Sequence, residues 1–104
     1  MSIFYYDTDK ALVEIFKDHC NLSGEQYGEI RAQFIYLVAD YQEGEPQEEI
    51  EKRIQYMTAV FEFLYNTKEL TLKEHYELGE LLEKMQDEAQ KAIVTKVITE
   101  GTVL

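Results

Sequence analysis

The sequence has one cysteine, one proline and no tryptophan among its 104 residues. With Cys20 as its only cysteine the chain cannot form an internal disulfide, so we expect a reducing compartment, the cytoplasm. The N-terminus lacks a basic segment followed by an apolar run, and no stretch approaches the roughly 20 apolar residues of a membrane span. The sequence therefore predicts neither a secretory leader nor a membrane anchor.

Basic residues are also scarce, since 10 Lys and Arg face 21 Asp and Glu and leave a formal charge of −11. Such a charge repels nucleic acid and anionic lipid, so we expect no direct nucleic-acid binding and no membrane binding. The negative charge is spread along the whole chain instead of forming a tail. This pattern is typical either of a solvated surface or of a surface shaped for a basic partner.

Apolar residues recur at helical spacing through most of the chain. The third predicted helix has the clearest stripe, at Ile50, Ile54, Met57, Phe61 and Leu64, because positions three and four apart share one face of an α-helix. The sequence predicts a single all-α domain over residues 1–104. It is a small antiparallel four-helix bundle with helices at about 8–21, 24–42, 46–65 and 72–98, preceded by a short N-terminal arm within residues 2–6.

Three local signals define the helix ends. Ser23 with Gln26, and Thr71 with Glu74, have the spacing of capping boxes, which begin helices. Asp7 or Thr8 is expected to cap the first helix. Gly44 is expected to end the second helix and Pro46 to take the first position of the third.

The two outer helices are harder to delimit. We predict that the first runs to about Asn21 and that Cys20 is buried in its stripe. On the fourth, Glu80 with Lys84 and Asp87 with Lys91 are spaced for ion pairs. Residues 92–99 are rich in β-branched side chains; we predict helix to about Ile98, with a strand paired to residues 3–6 as the alternative, and a loosely packed end over 101–104.

No arrangement of residues predicts catalysis or metal binding. His19 and Cys20 are adjacent, and neighbouring residues on a helix point about 100° apart, whereas zinc needs three or four converging ligands. Neither histidine has a glutamate three residues before it, as a di-iron bundle requires, and no glycine-rich phosphate loop occurs. The sequence predicts no enzyme, no cofactor and no metal.

Some aromatic side chains fall outside the main apolar stripes, and these are either additional core or a contact surface for another protein. Tyr5, Tyr6 and Tyr65 are secondary candidates of this kind. Acidic residues at the start of the third helix either stabilise the helix through the positive end of its dipole or form a docking site for a basic surface. The candidate partner-binding residues are Tyr36, Tyr56, Phe63, Glu48, Glu49 and Glu51.

The helix order, the length, and an aromatic third helix followed by a short turn (residues 61–67, FEFLYNT) resemble the bacteriocin immunity proteins. The resemblance implies a small helical bundle that protects a producer cell by binding another protein. Those proteins are often basic, so a charge of −11 departs from their pattern. The chain is therefore not assigned to that family.

Our first hypothesis is a non-catalytic inhibitor, immunity or antitoxin-type protein, a group that includes phage-encoded inhibitors. Such a protein blocks a basic or nucleic-acid-binding protein. A structural hypothesis stands beside it: a homodimer or assembly subunit in which the wide apolar arcs of helices 2 and 3 complete a shared core.

Overall fold

The structure of the protein is a computed structural model that describes residues 4–102, with side chains described over residues 4–92. It has four helices, α1 (Thr8–Phe16), α2 (Gly24–Glu43), α3 (Gln47–Asn66) and α4 (Leu72–Thr102), and no strand over residues 4–102. The predicted all-α four-helix bundle is confirmed. Each helix packs against the two next to it in the order α1, α2, α3, α4 and back to α1.

The helices begin at the predicted caps. The Asp7 carboxylate accepts a hydrogen bond from the backbone amide of Lys10 at 3.1 Å. In α2 the Gln26 amide donates to Ser23 Oγ at 3.1 Å, and the Ser23 amide donates to Gln26 Oε1 at 2.9 Å. Both capping boxes are confirmed, since Thr71 and Glu74 make the same reciprocal pair at 3.1 and 2.8 Å.

Gly44 ends α2 with a φ of +72°, the left-handed conformation that glycine adopts without strain. Its amide donates to the carbonyls of Asp40 and Tyr41. Pro46 was predicted as the first helical residue but takes the N-cap position, so α3 begins at Gln47, one residue later than predicted. The connection to α4 turns at Lys68, whose φ is +69°.

The core lies at the centre of the helix ring and contains the predicted stripe of α3, with Ile54 partly covered at its edge. The N-terminal arm also contributes, since the Phe4 ring is 4% exposed and meets the Tyr41 ring edge-on at a centroid distance of 5.5 Å. Residues 2 and 3 of the predicted arm lie outside the described residues. Burial was not anticipated for Leu81, Thr8 and Glu74.

The prediction for the end of the first helix is wrong. α1 ends at Phe16, five residues early, and Cys20 is exposed instead of buried. The connection that follows is held by polar contacts to the start of α4 and to the turn that precedes it. His19 Nδ1 lies 3.4 Å from Glu74 Oε2, and Asn21 Nδ2 donates to the Lys68 carbonyl at 3.4 Å.

α4 stays helical through Thr102, so the strand alternative for residues 92–99 is wrong. The end predicted to be loose is helical at residues 101 and 102, and residues 103 and 104 lie outside the described range. The predicted pairs Glu80–Lys84 and Asp87–Lys91 are not closed, and Lys73–Glu77 at 4.0 Å is the ion pair that forms within the described side chains of α4. Exposed pairs of this kind gain too little energy to fix two long side chains.

Within residues 4–102, none of the helices combines the length and the apolar character needed to cross a bilayer.

Candidate protein-binding face on helices 2 and 3

The three predicted aromatic candidates are exposed. Tyr36 on α2 is 50% exposed, and Tyr56 and Phe63 on α3 are 52% and 64% exposed. The alternative that they complete the core of this chain is therefore wrong. Single exposed rings are common on protein surfaces, so the three are informative only if they lie together on one face.

The three rings belong to one face of the α2–α3 pair. Tyr56 and Phe63 are seven residues apart, so they lie on the same side of α3 about two turns from each other. The Tyr56 hydroxyl donates to Glu29 Oε1 of α2 at 3.4 Å, which places Tyr56 beside the seam between the two helices. Tyr36 flanks the same seam from α2. We name the surface formed by Tyr36, Tyr56 and Phe63 with Arg53 the aromatic face.

Arg53 joins the two helices beneath this surface. Its guanidinium lies 5.4 Å from the centroid of the Tyr36 ring, a distance at which a cation is attracted to an aromatic face. Arg53 Nε also donates to Asp40 Oδ2, and Nη1 donates to Gln33 Oε1 at 3.2 Å. Three partners from α2 hold the guanidinium in place, so it stays packed over the Tyr36 ring.

Sequence reasoning did not identify Arg53. One signal was available, because Gln33, Tyr36 and Asp40 recur at spacings of three and four and so share one side of α2. A side of a helix that carries an amide, a ring and a carboxylate is suited to an arginine from a neighbouring helix. Which neighbour supplies that arginine depends on the packing of α2 and α3, and the sequence pattern does not contain it.

The three predicted glutamates at the start of α3 are exposed but do not gather at one place. Glu49 is seven residues before Tyr56 and therefore extends the same side of α3. Its carboxylate lies 3.4 Å from Lys52 Nζ. Helical periodicity directs Glu48 and Glu51 to other sides of α3. Of the acidic candidates, Glu49 alone continues the aromatic face.

The α2–α3 hairpin has a surplus of free negative charge. Residues 23–66 contain nine Asp and Glu against three basic residues. Each of the three basic side chains is already paired, Arg31 with Asp9, Lys52 with Glu49 and Arg53 with Asp40. Seven of the nine carboxylates have no ion pair within the described side chains: Glu25, Glu29, Glu43, Glu45, Glu48, Glu51 and Glu62.

The other candidate groups are dispersed. Cys20 is an exposed thiol, and His75 places its ring against that of Tyr65 at a centroid distance of 5.1 Å. His19 contacts the buried Glu74, but Glu74 Oε1 accepts the capping bond from the Thr71 amide. Across residues 4–92, no three His, Cys, Asp or Glu side chains come together as metal ligands would.

Comparison with protein families, with curated proteins and with solved structures finds no match to this chain. The resemblance to bacteriocin immunity proteins gains no support from these comparisons. Any functional argument therefore rests on the residues of the chain itself.

Proposed function

We propose that this protein is a non-catalytic binder that covers a basic surface of another protein with its aromatic face. The observation that carries the proposal is the exposure of Tyr36, Tyr56 and Phe63 on one side of a rigid helix pair. Large aromatic side chains dominate the centres of protein interfaces, where they bury much area at little conformational cost. A helix-borne ring keeps its position before binding, which lowers the entropic cost of association.

The charge of the hairpin supports a basic partner. Its three cations are already neutralised by carboxylates, and seven carboxylates stay unpaired, so the hairpin that carries the aromatic face is negative as a whole. A negative surface accelerates encounter with positively charged proteins and repels acidic ones. The same charge opposes pairing of two α2–α3 hairpins, which weakens the alternative that helices 2 and 3 complete the core of a homodimer.

An inhibitor, immunity protein or antitoxin acting in the cytoplasm, a group that includes phage-encoded inhibitors, is the biological role that these properties fit. If the partner binds nucleic acid, the carboxylates of the hairpin occupy the positions of phosphates. The nucleic acid of the partner then competes with the protein, and the affinity falls steeply with salt. If the rings contribute most of the binding energy, the affinity changes little with salt.

The test is affinity capture from the source organism with the purified protein as bait, followed by mass spectrometry. Tyr56→Ala and Phe63→Ala are each expected to lose the partner. Tyr76→Ala is the matched control, because Tyr76 is an aromatic residue of α4 with 63% exposure. A partner retained equally by all three variants would show that the aromatic face is not the binding site.

The acidic contribution is tested separately with Glu48→Lys combined with Glu49→Lys. The control is Glu83→Lys combined with Asp87→Lys, which makes the same change in net charge at exposed positions of α4. A slower association that is specific to the first pair assigns the steering to the start of α3. If the two pairs slow association equally, the acidic residues at the start of α3 serve only to cap the helix and do not steer the partner.

A further inference from the structure

A second surface lies across the helix ring from the aromatic face, along the seam between α1 and α4. It is an open groove of about 860 Å³. Ala11, Ile15 and Leu81 form its apolar floor, and Tyr5 and Tyr6 lie at one end. Charged side chains of α1 and α4 form the two walls.

The groove is lined by charged side chains of both signs. Four lysines and six carboxylates line it, so it contains four of the ten basic residues of the chain and has a net charge of only −2. The α2–α3 hairpin, with nine acidic and three basic residues, has a net charge of −6. The groove thus presents four lysines as well as six carboxylates to a second copy.

The charges along the α4 wall follow a pattern that is complementary to itself. Five charged residues of α4 line the groove, Lys73, Glu77, Glu80, Lys84 and Glu88, and four of them, all except Glu80, are arranged symmetrically with opposite signs. Lys73 and Glu88 are equally distant from the midpoint between residues 80 and 81. Glu77 and Lys84 are equally distant from the same midpoint. Reversing the direction of the helix thus exchanges each of these four charges with its opposite, while Glu80 takes the place of the uncharged Leu81.

A two-fold axis performs that reversal. In an isologous contact, residue i of one copy meets residue j of the other and j meets i. Two antiparallel α4 helices crossing at the midpoint place Lys73 opposite Glu88 of the second copy and Glu77 opposite Lys84 of the second copy. Leu81 then lies at the centre, on the apolar floor of the groove.

These charges are largely unused within one copy. Lys84 and Glu88 form no ion pair with any of the side chains of residues 4–92, and Lys73 approaches Glu77 only to 4.0 Å. By contrast, all three basic side chains of the α2–α3 hairpin are paired within the chain. The groove therefore holds free charges of both signs that a second copy satisfies.

We propose that the α1–α4 groove is the contact surface of a two-fold symmetric homodimer in which the α4 helices run antiparallel. This contact is distinct from a dimer through helices 2 and 3, and it leaves both aromatic faces uncovered. It does not depend on the proposed function.

The test uses two variants with complementary charges. Lys73→Glu with Lys84→Glu makes the α4 wall wholly acidic, and Glu77→Lys with Glu88→Lys makes it basic except at Glu80. Molar mass is measured by light scattering and sedimentation equilibrium over a range of concentrations. Circular dichroism confirms that each variant is folded, and if one is not, the single variants Lys84→Glu and Glu77→Lys replace the pairs.

The wild type is expected to dimerise, and each variant alone to dimerise at least about tenfold more weakly. Two-fold symmetry makes every substitution act twice, and an exposed ion pair contributes a factor of about two to five. An equimolar mixture of the two variants is expected to form a heterodimer as strong as the wild-type dimer. A wild type that is monomeric at all concentrations, variants that dimerise as well as the wild type, or a mixture that does not recover would each overturn the proposal.

Discussion

Phe61 and Phe63 form a matched pair that tests the division of α3 into a core side and a binding side. They have the same side chain and lie two residues apart on one helix. Phe61 is 2% exposed and its ring stacks on that of Phe34 at a centroid distance of 5.8 Å, whereas Phe63 is 64% exposed. Replacing each by alanine isolates the effect of position from that of residue type.

The expected magnitudes differ widely. Phe61→Ala removes a fully buried ring and leaves a cavity, which costs about 3 to 5 kcal/mol. Only about a third of the Phe63 side chain is covered, so its removal forfeits about 0.5 to 1 kcal/mol of burial. The higher helix propensity of alanine returns about 0.5 kcal/mol of this loss. The net change for Phe63→Ala is therefore within about 0.5 kcal/mol of zero.

The assay is urea unfolding followed by the helical circular dichroism signal, with the free energy taken by linear extrapolation. A domain of this size has a total stability of roughly 5 to 15 kcal/mol, so Phe61→Ala should lower the midpoint strongly and Phe63→Ala barely. Comparable losses for the two variants would refute the reasoning. Loss of binding in Phe63→Ala could then no longer be separated from unfolding.

Three further predictions concern single positions. Gly44→Ala should lower the free energy of unfolding by about 1 kcal/mol in the same assay, because φ is +72° while nothing lies within 4 Å of the added Cβ. Gly44→Asn should lower it less, because asparagine tolerates this conformation better than alanine. Equal losses for the two variants would argue against backbone strain. Burial, aided by the Asp40 charge, raises the pKa of Tyr41 above its usual 10.0. The folded state therefore holds this proton more tightly, so stability is complete below about pH 10 and falls as the pH rises from there towards the folded pKa. Tyr41→Phe should flatten that alkaline loss, and an unchanged pH profile would contradict the assignment. Finally, the exposed Cys20 should react with a thiol reagent in the folded protein about as fast as in urea. A much slower reaction in the folded protein would show that Cys20 is buried, as the sequence predicted.

The predictable part of the fold is the part governed by local chemistry. The capping boxes at Ser23 and Thr71 and the break at Gly44 depend on hydrogen bonds and backbone preferences within a few residues, and all three were found where predicted. The end of α1 was not, because residues beyond Phe16 still fit a helical stripe. Contacts of His19 to Glu74 and of Asn21 to Lys68, across about 50 residues of chain, accompany its early end.

The candidate site divides in the same way. Periodicity identified Tyr36, Tyr56 and Phe63 as lying off the main stripes, but it could not decide between core and surface. In a bundle of four helices each helix has two neighbours, and the angle between them determines how wide an arc is covered. α3 packs mainly against α2 and α4, and Tyr56 and Phe63 lie outside the covered arc. Arg53 was missed because its partners belong to another helix.

The order of the helices relates the two proposed surfaces to each other. α1 contacts α2 and α4, and α3 contacts α2 and α4, so the α1–α4 seam lies across the ring from the α2–α3 seam. A dimer formed through the grooves therefore presents its two aromatic faces on its outer sides, free of each other. Since no residue is shared between the surfaces, we expect substitutions at Lys73 and Lys84 to change self-association and those at Tyr56 and Phe63 to change partner binding, because substitutions more than about 10 Å apart act independently.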